Sequence, residues 1–236
     1  MFAYSERTAL VTGASSGIGA EFARALAARK MNLVLTARSE PPMRELADEL
    51  TTRYGVRVDV VVADLSRDEG VPCVVEAVRQ AGLSVDLLVN NAGLLTHGRF
   101  ETIDPQREQA ELTVNINSLV GLTHAFLPGM LERRAGGVIN VASIAGFQPI
   151  PYMAVYGATK AFVISFSMAL REECRDRGVA VLRFAPVIRR RTYSRRPKHR
   201  KPRSGYCARR NRWSTRLWPH SKNGEASSST GSKTRC

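Results

Sequence analysis

The sequence contains no apolar run of the roughly 18 residues that a transmembrane helix requires, so no membrane-spanning segment is expected. The polar N-terminus, residues 1–7, leads directly into a strand-like run, which argues against a signal peptide. The four cysteines are scattered without a Cys-x-x-Cys pair, as is typical of free thiols in a reducing cytoplasm. The histidines lack the spacing of metal ligands. We therefore expect a cytoplasmic protein with no metal site and no membrane partner.

Acidic residues are almost absent from the last part of the chain. Residues 187–236 contain 16 Lys and Arg residues and one Glu, a net charge of +15, whereas residues 1–186 carry a net charge of −1. This terminal segment also lacks apolar periodicity, so it cannot bury enough surface to offset the entropy of ordering. We predict a folded domain over residues 1–186 and a disordered basic tail over residues 187–236.

The folded part alternates between two kinds of segment. The apolar, β-branched runs are 7–12, 31–37, 57–63, 86–90, 137–142 and 179–185, and the amphipathic stretches are 17–30, 43–54, 68–81, 105–132 and 156–177. Repeated β-α-β units predict an α/β fold with a doubly wound parallel sheet, Rossmann-like in its architecture. Ligands in such folds bind beyond the carboxyl ends of the strands.

A glycine-rich turn follows the first apolar run. Gly13, Gly17 and Gly19 are spaced G-x-x-x-G-x-G where a helical stretch opens. Glycines there let the backbone approach a phosphate, and the following helix directs its free N–H groups at it. The candidate dinucleotide-binding residues in this turn are Gly13, Ser15, Ser16, Gly17, Ile18 and Gly19. A Gly/Ser-rich turn without a ligand is the alternative.

The residues after the second strand bear on which dinucleotide would bind. An acid at this position favours a free ribose 2′-hydroxyl, whereas a cation accommodates a 2′-phosphate. Ala37 and Arg38 offer a cation and no acid, so we expect NADP(H) rather than NAD(H). Alternatively, Arg38 is an exposed arginine at the start of a loop.

Two further strand ends carry candidate cofactor contacts. Asp64 and Leu65 follow the third strand, where an acid can accept a hydrogen bond from an adenine amino group, although Asp is also an ordinary turn residue. Asn91, Ala92 and Gly93 follow the fourth strand, where small residues and an amide can hold the backbone against a ligand. As a bare turn sequence, this second set would be unremarkable.

The fifth strand ends at Ser143, and Tyr156 and Lys160 follow in the next helical stretch. Residues four apart share one helix face, and an ammonium beside a phenol favours the phenolate. A phenol that gives and takes a proton is a suitable acid/base for a carbonyl oxygen, and Ser143 could orient that oxygen by a hydrogen bond. A lone Tyr-x-x-x-Lys is common on helix surfaces, so the combination with Ser143 and the glycine turn carries the prediction.

Taken together, these motifs resemble the short-chain dehydrogenase/reductases. They are Thr12-Gly13-x-x-x-Gly17-x-Gly19, Asn90-Asn91-Ala92-Gly93, Ser143 and Tyr156-x-x-x-Lys160, in the order typical of that family. The resemblance covers about residues 5–186 and is greatest to the NADPH-linked ketoreductase type. It implies a small carbonyl or alcohol substrate and pairing of copies through the helices near 105–132 and 156–177.

The resemblance also implies individual roles. Tyr156 would be the acid/base, Ser143 would orient the carbonyl, and Lys160 would bind the cofactor ribose and tune Tyr156. The family's fourth catalytic residue falls on Asn115, which would hold a water in a proton relay through the lysine. Asn91, Ala92 and Gly93 would line the cofactor, and Asp64 and Leu65 would flank the adenine.

The resemblance ends abruptly at Pro186. The family continues with Pro-Gly, a threonine at the nicotinamide, a substrate-covering helix and a last strand, whereas here an arginine run follows. The nearest threonine, Thr192, lies within this basic stretch. We hypothesise a frameshift at or just before this point, which would expose an apolar sheet edge and leave this chain weakly active at best.

Two other functions stay open at this stage. The basic tail could bind polyanions such as nucleic acid through charge alone, most simply as an adventitious contact. Alternatively, the chain is an inactive cofactor-binding remnant. The identity of the substrate is not predicted, and His97, Gln148 and Tyr152 are only candidate pocket residues.

Overall fold

The computed structural model describes residues 4–186. Its strands are β1 (Thr8–Thr12), β2 (Asn32–Ala37), β3 (Val58–Val62), β4 (Val85–Asn90), β5 (Gly136–Val141) and β6 (Val179–Phe184). Its α-helices are α1 (Gly17–Ala27), α2 (Glu40–Tyr54), α3 (Gly70–Gln80), α4 (Pro105–Leu112), α5 (Ser118–Glu132) and α6 (Ala154–Cys174). The predictions that concern the tail and an absent last strand lie outside the described residues.

The six strands form one parallel sheet in the order β3-β2-β1-β4-β5-β6. The order reverses direction between β1 and β4, where a doubly wound sheet opens a crevice for a ligand. The predicted fold class is therefore confirmed, and each predicted strand lies within two residues of its observed position.

Alternate residues of the central strands supply the two apolar cores on either side of the sheet. Leu33 and Val11 pack against α1 and α2, whereas Leu10 and Val34 pack against α3, α5 and α6. Strands buried on both faces read as nearly continuous apolar runs, which is why the sequence showed them so clearly.

The stretch 105–132 forms two helices rather than one. Asp104 begins α4 by accepting a hydrogen bond from the Gln106 amide at 2.9 Å, with Pro105 in the first turn. A π-helical turn over Thr113–Asn117 then separates α4 from α5. Such turns often accompany functional sites, because the wider winding changes the direction of a side chain.

A line of buried polar side chains connects the sheet to α5 and α6. The Asn90 amide nitrogen donates to the Thr123 hydroxyl at 3.1 Å and to the Asn140 side-chain oxygen at 2.9 Å. The Asn140 amide nitrogen in turn donates to the Ser167 hydroxyl at 3.0 Å. The four elements β4, β5, α5 and α6 are thus joined by buried hydrogen bonds inside the core.

Among residues 4–186, strand β6 lies at one edge of the sheet, and its apolar side chains are only partly covered. Leu182 is 54% exposed and Phe184 is 42% exposed, although Phe184 contacts Phe22 edge-to-face at 5.5 Å between ring centres. Within residues 4–186, no helix is long and apolar enough to cross a membrane, and no group of three His, Cys, Asp or Glu residues could hold a metal ion.

Candidate active site

An open cleft of about 370 Å³ lies at the carboxyl ends of β1, β2, β3 and β4. It is lined by Gly13, Ser15, Ser16, Ile18, Ala37, Arg38, Ser39, Ala63, Asp64, Leu65, Asn91, Ala92, Gly93, Leu94 and Val114. The structure therefore brings together predicted cofactor residues from four separate strand ends, whereas Tyr156 and Lys160 do not line this cleft. Gly17 and Gly19 belong to the same turn, although they do not line the cleft.

Glycine is required in this turn for two different reasons. Gly13 has φ +65°, and a β-carbon there would lie 2.9 Å from both the Ala92 Cα and the Asn91 amide nitrogen. A β-carbon at Gly19 would lie 2.3 Å from the Gly13 carbonyl oxygen. Gly17 has open space around it but a φ of +57°, which side-chain-bearing residues rarely adopt.

The N-terminus of α1 has the properties of an anion site. Its N-cap residue, Ser16, makes no side-chain capping hydrogen bond, and no acidic residue lies in the first turn. The first N–H groups of the helix therefore stay free for a ligand, and the helix dipole favours negative charge there. The residues present fit the phosphates of a dinucleotide.

Thr12 and Asn91 join the turn after β1 to the turn after β4. The Thr12 hydroxyl accepts hydrogen bonds from the backbone N–H groups of Asn91 and Ala92, both at 2.9 Å. The Asn91 side-chain amide donates to the carbonyl oxygens of Thr12 at 2.8 Å and Gly13 at 3.2 Å. Thr12 was not among the predicted site residues, although its place directly before the glycine motif was a usable signal.

Arg38 and Asp64 lie at the far side of the cleft. Arg38 is exposed and follows β2 directly. The Asp64 carboxylate accepts hydrogen bonds from the Ser66 amide at 3.0 Å and the Ser66 hydroxyl at 2.7 Å. Partial burial acts to raise the pKa of Asp64, but these hydrogen bonds and the charges of Arg38 and Arg67 hold it below its usual value. Asp64 therefore stabilises its own turn while facing the cleft.

Ser143 begins the 3₁₀ turn Ile144–Gly146 after β5. Its hydroxyl oxygen accepts a hydrogen bond from the Ala145 amide at 3.2 Å, and the residue is 8% exposed. A β-carbon at Gly146 would lie 2.6 Å from the Lys160 carbonyl group. The turn that carries Ser143 thus packs directly on α6.

Tyr156 and Lys160 lie on the first two turns of α6, as the spacing predicted. The Lys160 Nζ is 5.8 Å from the centre of the half-buried Tyr156 ring, and it donates to the Val141 carbonyl oxygen at 3.0 Å. Lys160 is 5% exposed. Burial lowers the pKa of Lys160 to about 8, and the negative charge of Glu111 opposes this shift.

Asn115 lies in the π-helical turn and is fully engaged. Its side-chain oxygen accepts from the Leu94 amide at 2.9 Å, and its amide nitrogen donates to the Leu94 carbonyl at 2.9 Å and the Thr159 hydroxyl at 3.0 Å. A β-carbon at Gly93 would lie 3.3 Å from the Asn115 oxygen and 3.6 Å from the Lys160 Nζ. The cleft and the Tyr156–Lys160 pair therefore meet at Gly93.

The three candidate pocket residues lie on exposed loops. The rings of His97 and Tyr152 are 6.2 Å apart, and the Gly98 amide donates to the Tyr152 carbonyl at 2.9 Å. Gln148 is exposed on the segment between the 3₁₀ turn and α6. Sequence reasoning missed Glu111, whose carboxyl group is fully buried. The available signal was its position, an acidic residue one helical turn before Asn115.

Comparison with known proteins gives concordant matches. A family model described as short chain dehydrogenase matches residues 7–201. The very-long-chain 3-oxoacyl-CoA reductase of Anas platyrhynchos is 38% identical over 75% of this chain, and the match spans 58% of the Anas protein. Sulfoacetaldehyde reductase 2 of Chromohalobacter salexigens is 41% identical over 75% of this chain and 70% of its own length.

Solved structures show the same likeness. The short-chain dehydrogenase of Sphingobium yanoikuyae in complex with NADPH matches with 36% identity and a TM-score of 0.73, covering 76% of this chain and 70% of that one. The L-sorbose reductase of Gluconobacter frateurii, complexed with NADPH and L-sorbose, matches with 35% identity and a TM-score of 0.71, covering 76% and 68%.

Proposed function

Because the chain belongs to the short-chain dehydrogenase family of oxidoreductases, we propose that it interconverts a carbonyl group and a secondary alcohol with NADP(H). One observation carries this proposal. The cleft that fits a dinucleotide and the buried Lys160 beside Tyr156 adjoin at Gly93, where a β-carbon would lie 3.6 Å from the lysine Nζ.

The roles of the side chains follow from their positions. NADPH, when bound, would supply the hydride for the carbonyl carbon. Tyr156 would give its phenolic proton to the carbonyl oxygen, and the Lys160 ammonium would favour the phenolate that remains. Ser143, fixed at the start of a 3₁₀ turn, would donate a hydrogen bond to the same oxygen.

We propose further that Arg38 selects NADP(H). It lies on the cleft directly after β2, where a cation can meet a ribose 2′-phosphate, and Ala37 and Ser39 beside it carry no charge. The NADPH complexes of the Sphingobium and Gluconobacter proteins support this preference.

A cofactor titration tests the proposal before any substrate is known. Fluorescence of NADPH and NADH would be followed against the purified full chain, with thermal unfolding measured in parallel. Saturable binding that favours NADPH supports the proposal, and a ketone panel would then test turnover. A cooperatively folding protein that binds neither cofactor would contradict it.

We also propose that copies pair through α5 and α6. A groove of about 510 Å³ runs between these helices, and its partly exposed apolar side chains include Leu127, Leu131 and Phe166. Burying such a patch against a second copy would remove apolar surface from water. Light scattering of the full chain and of Ala169→Glu would test this, because Ala169 lines the groove and is exposed, and the variant should dissociate while keeping its fold.

A further inference from the structure

The carboxyl group of Glu111 is completely buried beside the catalytic region. Glu111 lies in the last turn of α4 and has no exposed surface. Its Oε2 accepts hydrogen bonds from the Thr96 amide at 2.9 Å and from the Thr96 hydroxyl at 2.5 Å. Its Oε1 is buried and has no hydrogen-bond partner among residues 4–186.

These contacts show that Glu111 helps to hold the loop that follows Gly93. Asn115 follows one helical turn later, and it holds both backbone groups of Leu94. Glu111 holds both donors of Thr96 in the same loop. Two side chains from one helical segment therefore clamp the loop that continues from Gly93.

The hydrogen-bond set favours the charged form of this carboxyl. Both Thr96 donors approach one oxygen, and a proton on the other oxygen would find no acceptor among the described residues. Burial and the nearby Glu108 act to raise the pKa of Glu111, whereas the Thr96 hydrogen bonds and Lys160 act to lower it. Its pKa lies above the usual value, so the carboxylate form depends on those partners.

Among the groups described around Lys160, Glu111 is the one with a negative charge. Tyr156 on α6, the Val141 carbonyl on β5 and the Asn115 side chain are the neutral polar groups near the ammonium. A β-carbon at Gly93 would lie within 3.6 Å of both the Asn115 oxygen and the Lys160 Nζ, and Glu111 lies one helical turn before Asn115. The buried carboxyl is thus one turn away from the groups that surround the lysine, and its negative charge opposes the effect of burial on the pKa of Lys160.

We propose that Glu111 is a positioning residue that acts through Lys160, because its buried carboxylate holds the lysine as an ammonium ion and fixes the 94–96 loop beside it. The catalytic importance of this residue rests on the proposed function, whereas the electrostatic coupling does not. Glu111 touches neither the cofactor cleft nor Tyr156 in the contacts described above.

The direct test is a pH titration of the lysine side chains by NMR in the cofactor-free full chain. The chain has six lysines, of which only Lys30 and Lys160 fall within the described residues, so ¹³Cε signals can be assigned with Lys160→Arg. In Glu111→Gln, we expect the Lys160 midpoint to fall by about one pH unit below its wild-type value. The NMR signal of the exposed Lys30 should be the same in the variant and the wild type.

A matched variant separates coupling to Glu111 from a general change of charge. Glu108→Gln removes the same charge one turn earlier on α4, and Glu108 is not among the groups that act on Lys160. We expect its Lys160 midpoint to stay at the wild-type value. Glu111→Asp keeps the negative charge, so its Lys160 midpoint should lie closer to the wild-type value than that of Glu111→Gln.

An unchanged Lys160 midpoint in folded Glu111→Gln, or equal shifts in both Gln variants, would overturn the proposal. If Glu111→Gln does not fold, the wild-type signal decides, because protonation of Glu111 at acidic pH should produce a second, smaller step in the Lys160 shift, and its absence would count against coupling. Where a substrate is found, the alkaline limb of kcat/KM should move with the lysine midpoint. Failure to bind NADPH would contradict the proposed function alone.

Discussion

Gly146 and Lys160 are in backbone contact so close that a β-carbon at Gly146 would lie 2.6 Å from the lysine carbonyl group. This contact seats the turn that carries Ser143 on the helix that carries Tyr156 and Lys160. It is a relationship between backbones, so no flexible side chain can move aside to relieve an added methyl group.

Gly146→Ala should therefore destabilise the protein and disturb the site together. We expect a loss of about 1–3 kcal/mol in the free energy of unfolding, measured by denaturant titration. Gly129→Ala is the matched control, because a β-carbon there meets only the end of the long Arg133 side chain and no backbone atom, and alanine favours the interior of α5. Equal stabilities of the two variants would contradict this account of Gly146.

Arg38→Asp should reverse the preference between cofactors. A carboxylate would repel the 2′-phosphate of NADPH and could accept hydrogen bonds from the free ribose hydroxyls of NADH. We expect NADPH affinity to fall by about 10- to 100-fold, the range for a lost charge-assisted hydrogen bond. Arg44→Asp, an exposed arginine paired with Glu40 on α2, should leave both dissociation constants unchanged.

Tyr156→Phe should separate binding from chemistry. The variant keeps the ring beside Lys160 but has no proton to give, so we expect kcat to fall by about 10²- to 10⁴-fold with little change in NADPH affinity. Tyr54→Phe, at the end of α2, is the control. Retained turnover in Tyr156→Phe would assign the acid/base role to another group.

Lys160→Met should change how stability depends on pH. Because burial lowers the pKa of Lys160 from 10.5 to about 8, the unfolded chain binds more protons than the folded one between those values, and wild-type stability rises with pH across that window. Lys160→Met lacks this dependence. The free energy of unfolding of the variant, relative to that of the wild type, should therefore fall by about 3 kcal/mol between pH 7.5 and 10.5, measured by chemical unfolding.

The basic segment 187–236 is expected to bind nucleic acid through its charge. Its net charge of +15 should cause nucleic-acid binding that weakens steeply with salt and shows no sequence preference. A chain that ends at Pro186 should lose this binding in a filter assay, and a truncated chain that still binds would contradict the charge-based account.

Translating the other reading frames beyond the Pro186 codon tests the frameshift hypothesis. The hypothesis requires that one of these frames continue with Pro-Gly and a later strand.

The features predicted from the sequence are those that depend on local pattern. Buried parallel strands leave long apolar runs, and the glycine turn has a fixed spacing because Gly13 and Gly17 need positive φ values. The hydrogen bonds that connect distant segments were not predictable in this way. Thr12 meets Asn91 across 79 positions, and the Thr96–Glu111 pair exists only because α4 ends beside the loop after β4.

The π-helical turn at 113–117 illustrates the same limit. The sequence of this stretch is compatible with an uninterrupted helix, and no residue in it is a helix breaker. The wider turn accompanies the three hydrogen bonds of Asn115 to Leu94 and Thr159. Tertiary contacts outweigh local propensity here, as they often do at functional sites.

The buried line from Thr123 through Asn90 and Asn140 to Ser167 has a consequence for engineering. Ser167 lies two turns beyond Lys160 on α6, so sliding or rotating that helix would leave amides without partners in the core. Tyr156 and Lys160 are thus held in place from the core side of α6, independently of the loop that precedes this helix. Residues 147–153 could accordingly be randomised without α6 losing its alignment.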